Sequence, residues 1–369
     1  MKLERVKNIA IIAVFVVFVF GLAFLGAILP DVTVSRAERR KLVQQPELSA
    51  DAVMDGEYMT KLEDYLLDQF PFRDEWRTIK AALRFGLFRQ LDNNGVYLVG
   101  DSVFKLEYPL KEEQVRCAAA KIAEVYAGYL DGMNVYWSVV PDKNYFAAEK
   151  SGRTALDYDW LMELMREGVP AEMTYVDIFG TLTLDDYFKT DAHWRQERII
   201  PVAQKLAKAM GAGGVPGKSD YETRELSPFY GVYWGQSALN VQPDTLAYLV
   251  SEYTECATVR SADKPGQILP VYTLGNFAGL DGYDVFLDGA ATIVTVECPK
   301  AKTERELIVF RDSSASSLAP LLLGAYSKIT LIDLRYVSAS IVGQYVDFAG
   351  QDVLFLYGTS LLNSGSILK

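Results

Sequence analysis

The fold class is decided by residues 306–357, which read ELIVFRDSSASSLAPLLLGAYSKITLIDLRYVSASIVGQYVDFAGQDVLFLY. The apolar runs predict buried strands, and the intervening segments predict helices. The strands are expected at 306–310, 328–334 and 353–357, and the helices at 314–323 and 339–346. Strands that alternate with helices across short turns are typical of a parallel sheet with helices on both faces, so we predict an α/β fold.

An uncharged apolar run occupies residues 9–29. At about 1.5 Å per residue, a helix of this length spans roughly the 30 Å core of a bilayer. Lys2, Arg5 and Lys7 precede the run, and positive residues favour the cytoplasmic side. We therefore expect a cytoplasmic tail at 1–8, one transmembrane helix at 9–29 and an extracytoplasmic remainder held at the cell membrane. A cleaved signal peptide is the alternative, although its apolar region is shorter, about 7–15 residues.

The part beyond the span divides into two regions. Residues 30–94 predict a stalk followed by a helical segment, and residues 95–369 predict the α/β domain. Upstream of the quoted stretch, periodicity and turn residues predict further strands at 96–99, 135–140 and 173–178, and helices at 112–130, 157–166 and 197–210. Residues 51–88 are also predicted to be helical, with a break at Pro71 and a second helix at 74–88.

Composition excludes several classes of function. The chain has 37 Lys and Arg against 48 Asp and Glu, a net charge of −11, which argues against a nucleic-acid partner. One histidine and three scattered cysteines do not suit a zinc site, which needs three or four clustered ligands, so we expect no metal and no organic cofactor. Cys256 and Cys298 could form a disulfide in an exported protein, but the sequence does not decide this.

The only histidine, His193, is the only candidate for an imidazole base. Asp191 stands two residues before it and could accept the Nδ1 proton, which would leave Nε2 free to act as a base. The alternative is that Asp191 only caps the following helix.

The candidate nucleophile is Ser313 in the sequence Arg311-Asp312-Ser313-Ser314. A predicted strand ends there and a helix begins, which places Ser313 at the carboxyl end of a sheet strand, where ligands of open α/β sheets bind. The N–H groups of a helix N-terminus can stabilise a developing oxyanion. Ser and Asp before a helix are also ordinary capping residues, and that alternative stays open.

The sequence Asp191-Ala192-His193-Trp194 resembles the signature of the bacterial DHHW proteins, relatives of the alginate O-acetylation proteins with SGNH-hydrolase-like domains. The resemblance extends, in the same order, over 187–194, 280–283 with 286–289, 311–313, 319–322 and 332–336. It implies an SGNH-hydrolase-like, flavodoxin-like sheet in which Ser313 is the nucleophile, His193 the base and Asp191 the orienting acid. The chain departs from the family pattern twice. Ala192 replaces the first histidine, and Gly289-Ala290-Ala291 replaces Gly-Asn-His.

Three further side chains are candidate substrate-binding groups. Arg335 follows the predicted strand 328–334, and it either binds an anionic substrate group or forms a structural ion pair. Asp312 precedes the candidate nucleophile. Lys143 follows the strand 135–140 and is expected to line the cleft, unless Pro141-Asp142-Lys143-Asn144 is a plain turn.

These residues predict acyl transfer or hydrolysis by a serine nucleophile. By location and resemblance, the substrate is an acetylated or acetylatable polysaccharide of the cell envelope, and the acyl donor is a membrane-bound O-acyltransferase. One alternative is a non-catalytic member of the same fold that binds glycan or scaffolds an envelope or spore complex. The other is a lipase or peptidase, although the G-x-S-x-G elbow is missing.

Overall fold

The computed structural model describes the chain from Lys2 onward and side chains from Glu4 onward, so that Met1 of the predicted tail and the Lys2 side chain lie outside the described residues. The chain divides into two compact units. The first comprises residues 1–93 and 235–240, and the second comprises residues 94–234 and 241–369.

The first unit is largely helical. Its elements are α1 (Lys2–Ile28), β1 (Val34–Ser35), β2 (Arg40–Lys41), α2 (Ala50–Met54), α3 (Glu57–Asp68) and α4 (Arg73–Ala82). A π-helical segment, Leu83–Leu87, continues α4. Pro71 separates α3 from α4, as predicted, and a second, unpredicted interruption occurs at Gly56, which adopts φ = 83° before α3.

Helix α1 is long and apolar enough to cross a membrane over Glu4–Ile28, and it is the one such helix among the described residues. It begins earlier than the predicted span because the residues before position 9 are also helical. None of its most apolar window is buried within the chain.

The second unit contains an eight-stranded sheet with helices around it. Its elements are β3 (Val96–Val99), β4 (Ser102–Lys105), α5 (Glu112–Val125), β5 (Val135–Val140), α6 (Asn144–Ala147), α7 (Tyr158–Gly168), β6 (Thr174–Tyr175), α8 (Ile200–Ala209), β7 (Glu222–Phe229), α9 (Val232–Ser237, which ends in the first unit), β8 (Asp244–Val250), α10 (Glu252–Cys256), β9 (Thr258–Ser261), β10 (Leu269–Pro270), β11 (Ile293–Glu297), β12 (Glu306–Arg311), α11 (Ser314–Leu322), β13 (Lys328–Ile332), β14 (Asp352–Gly358) and α12 (Thr359–Leu362). The strand order is β10-β9-β11-β13-β12-β14-β5-β6.

The sheet is mixed, which corrects the prediction of a parallel sheet. Strands β13, β12, β14, β5 and β6 are parallel, whereas β11 runs antiparallel to β13 and to β9. A parallel connection needs a crossover of a dozen or more residues, usually a helix. Only residues 298–305 join β11 to β12, so β11 enters the sheet in the opposite direction.

The central strand β12 is buried on both faces. Leu307 and Val309 belong to one apolar core, and Ile308 and Phe310 belong to the other. Residues of α8 and α11 join the first core, and residues of α5 and α7 join the second. Helices therefore cover both faces of the parallel region, as the alternation of elements predicts.

Several predicted elements are shorter in the structure. The segment 339–346 forms only a 3-10 turn, Ala339–Gln344, and within 173–178 only Thr174–Tyr175 pairs with the sheet. The predicted helix 197–210 begins at Ile200, because a separate 3-10 turn, Gln196–Arg198, precedes it. Strand β3 has its predicted bounds but pairs with β4 as a hairpin outside the large sheet.

Candidate active site

A tight loop presents the imidazole of His193. The chain reverses direction between Tyr187 and Trp194, which form an isolated antiparallel bridge, and the Phe188 N–H donates to the His193 carbonyl. Thr190 secures the tip of the loop, because its N–H and hydroxyl donate to Asp244 at 2.8 and 2.6 Å.

Asp191 is completely buried and holds the histidine on one side. One carboxylate oxygen accepts the His193 backbone N–H at 3.0 Å and lies 2.6 Å from Nδ1. The other oxygen accepts the Val232 N–H at 2.7 Å. Because an ionised carboxylate only accepts, Nδ1 carries the proton and Nε2 is left as an acceptor. The alternative in which Asp191 only caps a helix is not observed, since its carboxylate binds the ring.

Ser313 lies on the other side of the ring. Its hydroxyl is 2.7 Å from His193 Nε2, so Ser313 Oγ, His193 and Asp191 form a continuous hydrogen-bonded chain. Strand β12 ends at Arg311 and α11 begins at Ser314, which places the serine at the carboxyl end of a central parallel strand. Ser313 and His193 are 120 positions apart in the sequence.

Asp312 fixes the turn that carries this serine. One carboxylate oxygen accepts the Ser314 N–H at 2.9 Å, and the other accepts the Gly358 N–H at the end of β14 at 2.6 Å. The Ser313 N–H donates to no acceptor within the described part of the chain. This N–H at the start of α11 is therefore available to a ligand.

The proton affinity of His193 reflects two opposing effects. Burial lowers the pKa of the ring, but the charge and hydrogen bond of Asp191, together with the charges of Asp281 and Asp312, exceed this effect and raise the pKa above its ordinary value of 6.5. Tyr283 stacks on the ring, with centroids 3.8 Å apart and planes 7° from parallel. The imidazole is thus oriented from its edge by Asp191 and from its face by Tyr283.

A cleft of about 260 Å³ opens at the Ser313–His193 pair. Asp312, Arg335, Pro141 and Asp142 are among its lining residues, as are the beginning of α12 and Ala192. Arg335 donates through Nε and Nη2 to the buried carboxylate of Asp333, at 2.9 and 2.6 Å. The ion pair considered in the sequence analysis is therefore present, and Arg335 lines the cleft as well.

Lys143 does not line the cleft, and the substrate-binding role predicted for it does not fit its position. Its ammonium group is buried and donates to the carbonyls of Val103, Phe188 and Lys189 at 2.6, 2.8 and 2.9 Å. The strand β5 ends before Pro141, and the turn that follows directs Lys143 inward instead of towards the cleft. Lys143 thus supports the backbone of the loop that carries Asp191 and His193.

Sequence reasoning missed two parts of this site. Tyr283 lies in a block that resembles the DHHW proteins, but no spacing in the sequence connects it with His193. Gly231 packs behind Asp191. A Cβ added to Gly231 would lie 2.2 Å from the Thr190 carbonyl oxygen. Only a contact made by the fold reveals that this position requires glycine.

Residues 2–369 contain no group of three or more His, Cys, Asp or Glu side chains arranged to hold a metal ion. Residues 289–291, which replace the family's Gly-Asn-His, are not among those that line the cleft.

The fold and the site together define a class of protein. It is a mixed α/β domain, with a largely parallel sheet, that carries a hydroxyl–imidazole–carboxylate arrangement at the carboxyl end of a central strand.

Comparison with solved structures gives the same class of fold. A DHHW family protein from Eubacterium siraeum matches with a TM-score of 0.60 and 19% identity, over 75% of this chain and 95% of that one. PatB1 from Bacillus cereus matches with a TM-score of 0.59 and 17% identity, over 74% of this chain and 98% of that one. A second structure of PatB1, with a sulfonyl adduct, has a TM-score of 0.58.

The likeness to the DHHW family that the sequence indicated is therefore confirmed at the level of the fold. No protein-family model matches the chain, and no curated protein sequence matches it.

Proposed function

We propose that this protein is a serine acyltransferase or esterase of the SGNH-hydrolase-like kind, which acts on acetyl groups of a cell-envelope polysaccharide. The observation that carries the proposal is the continuous hydrogen-bonded chain from Ser313 Oγ through His193 to the buried carboxylate of Asp191. This arrangement activates a weak hydroxyl nucleophile at neutral pH. We further propose that α1 anchors the chain in the cell membrane, with the domain outside.

The proposed reaction has two steps. The Ser313 oxygen attacks the carbonyl carbon of the acyl donor while His193 Nε2 takes the hydroxyl proton, and Nε2 then returns this proton to the departing alkoxide. An acyl-serine ester remains. In the second step Nε2 removes the proton of an acceptor hydroxyl, whose oxygen attacks the ester, and Ser313 leaves and regains the proton. A sugar acceptor gives transfer, and water gives hydrolysis.

Asp191 stabilises the imidazolium that forms in each step, because its carboxylate remains beside Nδ1. The Ser313 N–H at the start of α11 supplies one donor for the oxyanion of each tetrahedral intermediate. We assign no second donor.

The size of the cleft favours a small acyl group. Its volume of about 260 Å³ lies below the roughly 300–1,000 Å³ that is usual for ligand pockets. Arg335 is a candidate for binding an anionic group of the glycan, because Asp333 holds its guanidinium in place at the wall of the cleft. Asp312 positions the nucleophile, since both of its oxygens accept backbone N–H groups. A membrane-bound O-acyltransferase is the proposed source of the acyl group.

The structure of PatB1 with a sulfonyl adduct is consistent with this chemistry, because sulfonyl reagents react with activated nucleophiles. A non-catalytic role in glycan binding is the second candidate, and the replacement at Gly289-Ala290-Ala291 is the observation that favours it. That segment does not line the cleft, so we prefer the enzyme.

Two separate assays of the full-length protein test the proposal. One is covalent labelling with a fluorophosphonate or sulfonyl fluoride, and the other is hydrolysis of p-nitrophenyl acetate by unlabelled protein. We expect labelling at Ser313 that disappears in Ser313→Ala, and a fall in kcat of roughly 10³-fold or more in Ser313→Ala and His193→Ala. Ser316→Ala is the matched control, since this buried serine on α11 does not line the cleft.

Wild-type protein that is folded but neither labels nor turns over acetyl esters would contradict the enzyme and favour the glycan-binding role. Equal turnover of acetyl and octanoyl esters would contradict the preference for a small acyl group.

A further inference from the structure

The first unit buries very few apolar side chains. Within residues 4–93 and 235–240, the buried apolar side chains are Leu42, Pro71 and Ala81. Helical segments of this size are ordered mainly by burial of an apolar face, because isolated short helices are marginal in water. The helices of this unit therefore lack the apolar contacts that would normally stabilise them.

Exposed apolar side chains are concentrated on one face of α4 and its π-helical continuation. Trp76, Ile79, Leu83 and Leu87 follow one another at spacings of three and four residues, which places them on one side of the helix. Their exposed fractions are 37, 47, 43 and 68%. We call these four residues the α4 stripe.

The opposite side of α4 is polar and faces the protein. Arg73 and Arg77 both pair with Glu38, at 2.8 and 3.5 Å, and Arg77 also donates to the Gly235 carbonyl at 2.8 Å. Ala81 on this side is fully buried. A surface helix of a water-soluble protein turns its apolar side inward. Helix α4 instead exposes its apolar side and packs its polar side against the protein.

The α4 stripe begins beside the apolar helix α1. The ring of Trp76 contacts that of Phe18 edge to face, with centroids 5.9 Å apart. A groove of about 900 Å³ between α1 and α3 lies next to this contact, and its lining is mostly apolar, with Leu22, Leu66 and Phe70 among the side chains. The exposed apolar surface is thus continuous from α1 to the beginning of the stripe.

We propose that the α4 stripe contacts the acyl chains of the lipid bilayer that α1 spans, and that acyl chains also fill the groove between α1 and α3. This inference rests on the membrane anchoring proposed above, but not on the acyltransferase activity. Apolar side chains at one face, a tryptophan, and basic residues along the flank are features of helices that lie against a membrane. Lys80, Arg84 and Arg89 supply the positive charges that attract anionic headgroups.

A bilayer accounts for the stripe better than a protein partner does, because the stripe adjoins α1. A partner protein would have to cover the stripe and also exclude lipid from the adjacent groove. The bilayer is already present there if α1 spans it.

The test uses full-length protein in phosphatidylcholine–phosphatidylglycerol vesicles, with brominated acyl chains as quenchers of tryptophan fluorescence. We expect bromolipid to quench a component of the emission that is missing in Trp76→Phe. In the Trp76→Phe background, Leu87→Trp should restore the quenching. Thr78→Trp, which is exposed on another side of the same helix, is the matched control and should be quenched much less.

Each result decides between the two proposals. Protein that fails to float with the vesicles would overturn both the anchoring and this inference. Protein that floats but shows no quenching assigned to Trp76 would overturn the inference alone and point to a protein partner. Equal quenching at positions 78 and 87 would also contradict a one-sided stripe.

Discussion

At the scale of single residues, the proposed chemistry depends on the proton affinity of one imidazole. Burial lowers the pKa of His193, but Asp191, with smaller contributions from Asp281 and Asp312, raises it to above 6.5. The neutral ring is the base, so kcat/KM should rise with pH through a midpoint above 6.5 and then level off. The measurement is the pH profile of kcat/KM for a neutral acetyl ester.

Asp191→Asn is the informative variant for this profile. It keeps the shape of the side chain but removes the charge that raises the pKa of the ring most. Burial is then opposed only by the weaker effects of Asp281 and Asp312, so the midpoint should move to lower pH. The rate should fall by roughly 10⁴-fold. An unchanged midpoint would show that Asp191 does not set the protonation of His193.

Lys143 carries a second prediction at this scale. Its ammonium group lies within hydrogen-bond distance of four carbonyls of the β4 and His193 segments, and Lys143→Met would leave them without this donor. We expect a loss of about 3 kcal/mol in the free energy of unfolding, measured by urea denaturation. We also expect a lower pH midpoint for kcat/KM, because Asp191 would no longer be held against the ring.

A role confined to stability would give the first effect without the second. Lys150→Met is the control, since Lys150 is exposed on the surface. The pKa of Lys143 itself is lowered by burial to about 7. The hydrogen bonds from Lys143 to the carbonyls should therefore weaken as the pH rises past 7, because a neutral amine has fewer hydrogens to donate.

At the scale of elements, the site depends on how closely the segment before α9 approaches the His193 loop. Gly231 fits behind Asp191, and an added Cβ would lie 2.5 Å from the Asp191 Cβ. Gly231→Ala should displace the loop and lower kcat at least tenfold, in an ester hydrolysis assay, with a lower Tm. Gly213→Ala is the matched control, because nothing lies within 4 Å of a Cβ there. Full activity in Gly231→Ala would contradict the close approach.

The end of α10 and the residue after β11 bring two cysteines together. Cys256 Sγ and Cys298 Sγ are 3.7 Å apart, and both are free thiols in this structure. Burial and the neighbouring Cys256 raise the pKa of Cys298 to about 11, which disfavours its thiolate. We therefore expect oxidation by exchange with an exported protein disulfide, which is reduced to a dithiol as the Cys256–Cys298 bond forms.

In protein prepared from an oxidising compartment, mass spectrometry should find the 256–298 disulfide, with Cys117 free. The bond should raise the free energy of unfolding by up to about 4 kcal/mol. Cys117→Ser is the control and should change neither result. Two free thiols after export would contradict the prediction.

At the scale of the whole molecule, the arrangement proposed is a cytoplasmic N-terminus followed by an exported body. Protease added to intact cells should then digest the domain that follows α1. Reversing the charges of Arg5 and Lys7 should reduce export, because positive residues hold the N-terminus inside. The measurement is the protected fraction on immunoblots, with a cytoplasmic protein as control. A fully protected domain in the wild type would contradict the proposed orientation.

The order of elements in 306–357 could be predicted from sequence because it depends on local periodicity. Strand β12 and helix α11 follow from apolar runs and turn residues that are close together in the chain. The antiparallel entry of β11 could not be predicted, because the partners and direction of a strand are decided by packing and connection length. The inward direction of Lys143 escaped prediction for a similar reason, since a turn after a strand can point its side chains either way.

The sequence by itself determined the chemical candidates. His193 is the only imidazole, and Ser313 stands where a strand gives way to a helix. Only the tertiary structure decided that this ring and this hydroxyl lie 2.7 Å apart, although 120 residues separate them. The physical reason is that helix and strand patterns are read over a few residues. Contact between distant loops depends instead on the packing of the whole sheet and on the Gly231 and Lys143 contacts behind the loop.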